Sequence, residues 1–131
     1  MFDFREYYEI SRSIEETPDL FKTESYRRTG ISRAYYSCYK ICDEFVSTNY
    51  SNYNGFEGKS SHRSLWLFFS VEKELKKLEI NEPATRLLEL RQKSDYKAQA
   101  KMTKTDLKLA NREAKKIIDK IQDAYNLKSE A

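Results

Sequence analysis

The chain has 131 residues, the usual length of one domain and enough to bury a core without disulfides or metals. Gly (3) and Pro (2) are scarce and charged residues make up 34%, which favours helices over a strand-and-turn architecture. The net charge of +3 is small but uneven: residues 1–24 hold seven acids against three bases, and residues 86–120 hold eleven bases against five acids.

The opening MFDFREYYEI is acidic and aromatic, unlike the basic-then-apolar start of a secretion signal. Its spacing predicts a first helix over residues 3–16, with Phe4, Tyr7, Tyr8, Ser11 and Ile14 on one face and Pro18 as its stop. A second helix is predicted over 23–49. There Ile31, Ala34, Tyr35, Cys38, Ile41, Cys42 and Phe45 repeat at three and four residues, a continuous core stripe. Gly30 interrupts it early, which suits a kink or a close helix crossing. Residues 48–61, rich in Asn, Ser and Gly, read as a loop.

A third helix is predicted from Ser61 to about Leu78. It is apolar over most of its circumference at the start (Leu65, Trp66, Phe68, Phe69, Val71) and is therefore expected at the centre. Pro83 is tolerated in a first turn, so a fourth helix restarts there and carries Leu87, Leu88 and Arg91 on one face. Residues 97–103 are polar and read as a loop. A last helix is predicted over 105–127, with Leu107, Ala110, Ala114, Ile117, Ile118, Ile121 and Tyr125 inward. Five helices with short links pack most simply as an all-α antiparallel up-and-down bundle, one domain over residues 1–131. No apolar run approaches the about 20 residues of a membrane span, so a cytoplasmic protein with no membrane partner is expected.

Few residues carry chemistry. The loop with Gly55 and Gly58 lacks the GK[ST] ending of a phosphate cradle. Cys38 and Cys42, at i and i+4, place their Cβ atoms about 5–6 Å apart, too far for a disulfide. With no CxxC pair and one histidine, no metal site and no cofactor is expected. That histidine, His62, falls in a first helical turn after a Ser cap. A helix N-terminus disfavours imidazolium, so His62 suits either a neutral general base or a helix-start residue bonded to its neighbours. Arg33, Tyr36 and Lys40 share the face opposite the cysteines or its edge. Arg–aromatic stripes hold RNA bases and phosphates, form subunit interfaces, or simply fill the gap between helices. The basic stretch 86–120 meets phosphate backbones or is a solvated lysine face.

Three motifs together carry a family resemblance. SRAYYSCYKICDEFV resembles the second-helix signature of the HEPN family, helical domains of prokaryotes and higher eukaryotes. SHRSLWLFF is similar to the segment that opens that family's next long helix, and RQKSDY matches an R-x-x-[AS]-D-Y pattern at Arg91, Ser94, Asp95 and Tyr96. The resemblance covers residues 7–125. It implies a helical bundle that forms a homodimer. It also implies a place in a bacterial toxin–antitoxin or defence system, in which many small members pair with a nucleotidyltransferase antitoxin and many are metal-independent ribonucleases acting on RNA.

The chain departs from the family's R-x4-6-H ribonuclease motif. From Arg91 the histidine would fall at 96, 97 or 98, where Tyr96, Lys97 and Ala98 stand. Loss of the proton-transfer group costs about 10²–10⁴-fold in rate, so a degenerate or atypical site is expected, with His62 as the catalytic candidate if the fold brings it to Arg91. Arg91, Arg33 and Lys97 are the residues expected to meet phosphate or RNA, and Asp95, Tyr96 and Tyr36 those expected to orient them. If the helix runs through Tyr96, Arg91 and Asp95 form an i,i+4 pair, which serves as a structural anchor or presents the guanidinium to a ligand. The alternative is a non-catalytic dimeric module that binds a protein partner such as a small nucleotidyltransferase.

Overall fold

The computed structural model describes residues 1–130, and these contain seven helices and no strand. They are α1 (Arg5–Glu16), α2 (Pro18–Phe21), α3 (Glu24–Asn49), α4 (Ser61–Val71), α5 (Lys73–Lys76), α6 (Asn81–Tyr96) and α7 (Lys104–Glu130). The all-α bundle is as expected. The two additional helices are single turns.

Local chemistry sets the ends. Asp3 accepts the Arg5 backbone N–H at 3.0 Å and opens α1. At Thr17 the backbone turns extended (φ −106°, ψ 106°), and Pro18 then occupies the first turn of α2, where its missing N–H is harmless. Ser60 accepts the Arg63 N–H at 3.2 Å and caps α4. The predicted third helix breaks at Glu72, whose backbone extends (φ −72°, ψ 128°) while its carboxylate accepts the Leu75 N–H at 2.9 Å. The break turns Leu75 and Ile80 into the core, 1% and 0% exposed.

The central element is α3, which packs against α1, α6 and α7. Residue pairing gives the directions. Phe4 meets Ser37 and Ser11 meets the Gly30 turn, so α1 runs antiparallel to α3. Gly30, Cys38 and Phe45 meet Leu107, Ala114 and Tyr125 in turn, so α3 and α7 run parallel. Arg28 and Tyr36 meet Ser94 and Arg91, so α6 runs antiparallel to α3. The α4 helix, expected at the centre, lies instead at one side, against α5 and α6. Its surplus apolar surface is covered from the preceding loop: the Tyr50 and Tyr53 rings lie 5.5 and 4.5 Å from that of Phe68, and Val71 stays exposed. Cys38 and Cys42 are buried, unbonded thiols.

Gly30 marks a close crossing. A Cβ there would lie 2.9 Å from Leu107 Cδ1 and 3.2 Å from Ser11 Oγ. Ser11 in turn donates to Asn111 Oδ1 at 2.5 Å, and Asn111 Nδ2 donates to Glu15 at 2.8 Å. These bonds tie α1 to α7 beneath the glycine with the buried polar groups satisfied.

Gly30→Ala exchanges about 1 kcal/mol of helix propensity for a contact that Leu107 must relieve. Gly30→Val adds branched bulk against the same atoms, and it is expected to destabilise the fold by about 1–3 kcal/mol, read as a lower urea midpoint. A midpoint equal to or above that of Gly30→Ala would show that α3 does not depend on this approach.

Candidate functional site at the α3, α4 and α6 junction

Three helices deliver the site. Helix α3 presents Tyr35, Tyr36 and Tyr39, α4 presents His62 and Trp66 one turn apart, and α6 presents Arg91, Asp95 and Tyr96 near its C-terminal end. The loop before α4 delivers His62 over the tyrosines. Its imidazole stacks on Tyr39 (centroids 4.0 Å apart) and on Tyr35 (5.5 Å), and meets Tyr36 edge-on at 5.9 Å.

The hydroxyl of Tyr35 is the hinge of the polar contacts. Tyr35 is fully buried. Its oxygen accepts from Trp66 Nε1 at 3.0 Å and lies 2.7 Å from His62 Nδ1. Indole N–H only donates, so the one phenolic proton is left for His62. The donor count therefore assigns Nδ1 as acceptor and leaves the imidazole proton on Nε2. Burial lowers the pKa of His62, and the charge of Arg91 and that of Lys40 add to the effect, while Asp43 opposes it. Burial raises the pKa of Tyr35, so its proton stays in place.

Arg91 is 8% exposed. Its guanidinium carbon lies 5.0, 5.5 and 5.4 Å from the rings of Tyr36, Tyr35 and Tyr96, within cation–π range. Nη2 donates to the Tyr36 hydroxyl. Nε lies 3.2 Å from Asp95 Oδ2, the expected i,i+4 ion pair, but its N–H has no hydrogen-bond partner. Asp95 also accepts from Ser32 Oγ at 3.2 Å, so one carboxylate joins α3 to α6. The residue expected to face phosphate is thus enclosed by the set expected to orient it.

The remaining candidates separate. Arg33 is half-buried, its guanidinium 4.8 Å from the Tyr7 ring and 5.9 Å from that of Tyr36. It borders an open cleft of about 470 Å³ between α3 and α6, together with Ser32, Asp95 and Tyr96. Tyr96 is 69% exposed. Lys97 is exposed where α6 ends, and its carbonyl accepts from Arg28 at 3.2 Å. Among the described residues no group of three or more His, Cys, Asp and Glu could hold a metal ion, and no helix is long and apolar enough to cross a membrane.

The arrangement therefore joins His62 to Arg91 through the Tyr35–Tyr36 pair, a juxtaposition the sequence alone left open. It favours hydrogen bonding over proton abstraction. With Nδ1 occupied and the proton on Nε2, the outer nitrogen is a donor; a base there needs the opposite tautomer, which would leave the Tyr35 proton unpartnered. Tyr35, Trp66 and Ser32 are members of the cluster that sequence reasoning missed. The one available signal was the His62–Trp66 spacing of four, which puts both polar edges on one side of α4. Compared with models of protein families, with curated proteins and with solved structures, the chain matches none.

In the unfolded chain a histidine titrates near about pH 6.5. Below that the unfolded chain takes up a proton that folded His62 resists, so stability falls as pH drops through about 6.5 and levels once folded His62 protonates too. His62→Gln is expected to remove this part of the slope. Urea midpoints of both proteins at pH 7.0 and 5.5 measure it, and equal falls would mean that His62 is not held neutral.

Proposed function

We propose that this chain is a HEPN-like RNA- or nucleotide-binding protein with a degenerate ribonuclease site, acting in a bacterial toxin–antitoxin or defence system. The observation that carries the reading is the α3–α6 cleft. It places a guanidinium (Arg33), an exposed aromatic face (Tyr96) and a carboxylate acceptor (Asp95) around one open volume, the groups that meet a phosphate, a base and a sugar or base N–H. Arg91 supports this cleft from beneath through Asp95, and His62 stands behind Tyr36 as a neutral donor. The absent R-x4-6-H histidine and the tautomer of His62 both argue for binding rather than cleavage.

A second reading rests on the burial of Arg91. With its guanidinium enclosed, the cluster serves as a structural anchor. The chain is then a non-catalytic homodimeric module whose partner is a protein such as a small nucleotidyltransferase.

The test uses purified protein with total RNA and tRNA in the absence of metal. The expected result is salt-sensitive binding without cleavage. Arg33→Ala should weaken binding about 10-fold or more, the loss of a charge-assisted hydrogen bond, with folding intact. Cleavage abolished by His62→Ala would replace the degenerate-site reading with a catalytic one. No binding at low salt, with a dimer in solution, would leave the protein-partner module.

A further inference from the structure

The basic stretch 86–120 does not form one field. Arg91 is buried, and Arg86 and Lys116 both pair with the buried Glu113, at 3.0 and 3.6 Å. Lys120 donates to the Glu79 carbonyl at 3.2 Å and Lys93 stands apart on α6; the rest of the stretch's positive charge on α7 forms a narrow row. At 100° per residue, Lys104, Lys108, Arg112 and Lys115 fall within an arc of about 80° on α7, away from the buried Ala110, Ala114, Ile117 and Ile121. Successive members four residues apart are about 6 Å apart along the axis. Lys115 is bound to Asp119 at 2.7 Å. Among the described residues Lys104, Lys108 and Arg112 have no ion-pair partner. The acids around the start of the row are engaged elsewhere: Asp106 accepts from the Thr103 backbone and hydroxyl, Glu24 from the Met102 N–H and Arg28, and Asp19 is paired with Lys22.

Two further features make this row more than a solvated face. The ammonium groups of Lys104 and Lys108 lie 5.3 and 5.7 Å from the same ring, that of Phe21. Two like charges are thereby held side by side without a counter-charge. In the chain the row is preceded by the exposed Lys97 and Lys101, and the segment that carries them is fixed. Arg28 holds the carbonyls of Ser94, Lys97 and Ala100, and Arg27 holds that of Met102 at 2.8 Å. The fixed segment begins beside the exposed ring of Tyr96, at the edge of the α3–α6 cleft.

We propose that Tyr96, Lys97, Lys101, Lys104, Lys108 and Arg112 form a track for the phosphate backbone of single-stranded RNA, leading from the cleft along the first half of α7. This rests on the RNA-binding reading above and names the form of RNA that fits. The row is one side chain wide, and its steps compare with the spacing of neighbouring phosphates in an extended strand. An aromatic stacking face stands at one end, the combination that serves single strands. Tyr96, at the cleft end, is the one large exposed apolar side chain among the track's members, so an acidic protein would find few apolar anchors along the basic row itself.

The test compares the full chain with the triple variant K104Q/K108Q/R112Q, all at exposed positions, after thermal melts confirm equal folding. The probes are a labelled 12-nucleotide single-stranded RNA, a duplex of the same length, and adenosine monophosphate, each titrated across salt. The variant is expected to bind the single strand about 10²-fold more weakly at 0.1 M salt, with its log–log salt slope smaller by about 2. Adenosine monophosphate, which is too short to reach α7, should bind unchanged. Unchanged single-strand affinity and slope would overturn the track, while weakening by Arg33→Ala alone would keep the cleft. Weakening by the triple variant but not by Arg33→Ala would keep the track and overturn the cleft. Duplex binding equal to or tighter than single-strand binding would overturn the single-strand assignment, and no binding of any probe by the unmodified chain would overturn both proposals.

Discussion

The close approach of α3 to α1 and α7 at Gly30 is the constraint from which the rest of the molecule follows. With no side chain at this position, the Leu107 methyl and the Ser11 hydroxyl sit where a Cβ would otherwise be. That contact fixes both the depth and the rotation of α3. Ala34 and Cys38, four and eight residues on, then face the same neighbours and are fully buried. Helix periodicity does the rest. Tyr35 turns toward α4, Tyr36 toward α6, and Arg27 and Arg28, one turn before the glycine, reach the segment between α6 and α7. A bulkier residue at position 30 would shift all four contacts, because they are set by one rigid element.

The polar groups that α3 presents are matched by number as well as by position. Tyr35 has one proton and two lone pairs, and it sits between a group that only donates, Trp66, and a group that can do either, His62. The phenolic proton of Tyr35 has His62 Nδ1 as its one nearby acceptor, so this bond favours the neutral tautomer with its proton on Nε2. Desolvation and the Arg91 charge push His62 the same way. Lys40 adds to them and Asp43 opposes, so a lowered pKa and an occupied Nδ1 both weigh against the imidazolium form. Arg91 fits the same logic. Its charge is met by three ring faces, a phenol and a carboxylate, and a charge so enclosed stabilises a geometry more readily than it reaches a ligand.

Local rules made much of this visible in the sequence. The stripe from Ile31 to Phe45 has an unbroken spacing of three and four, and all of it except the half-buried Ile41 is core of α3. A serine cap ahead of His62 is legible, and the structure assigns it to Ser60. Arg91 and Asp95 read as an i,i+4 pair and are one. The failures occur where tertiary contacts decide. Leu75 and Leu78 keep a helical period across Glu72, so nothing local reveals the break there; it comes from a carboxylate capping the next turn and from the burial of Leu75 and Ile80. The aromatic surplus of α4 suggested a central helix because the rings that cover it, Tyr50 and Tyr53, belong to a loop. Within the site, Tyr35 and His62 are 27 residues apart and Tyr36 and Arg91 are 55 apart. No periodicity tells which of ten tyrosines will meet which cation.

Around the link between α6 and α7, arginine and lysine divide the positive charge between them for a physical reason. Arg28 gathers carbonyls at the C-terminal end of α6, where the helix dipole is negative and where several acceptors converge from one side. Its planar fork of five donors suits that task, as it suits Arg27 on Phe21 and Met102 and Arg91 among its tyrosines. A single ammonium, compact and strongly hydrated, would satisfy fewer acceptors and lose more on burial. The lysines of the segment, Lys97 and Lys101, are accordingly left outside, on a backbone that the arginines hold still. Arg28, which closes the end of α6, and Arg27, which holds Met102 just before α7, therefore fix the segment on which Lys97 and Lys101 stand, so the position of this exposed charge is a consequence of the packing at the start of α3.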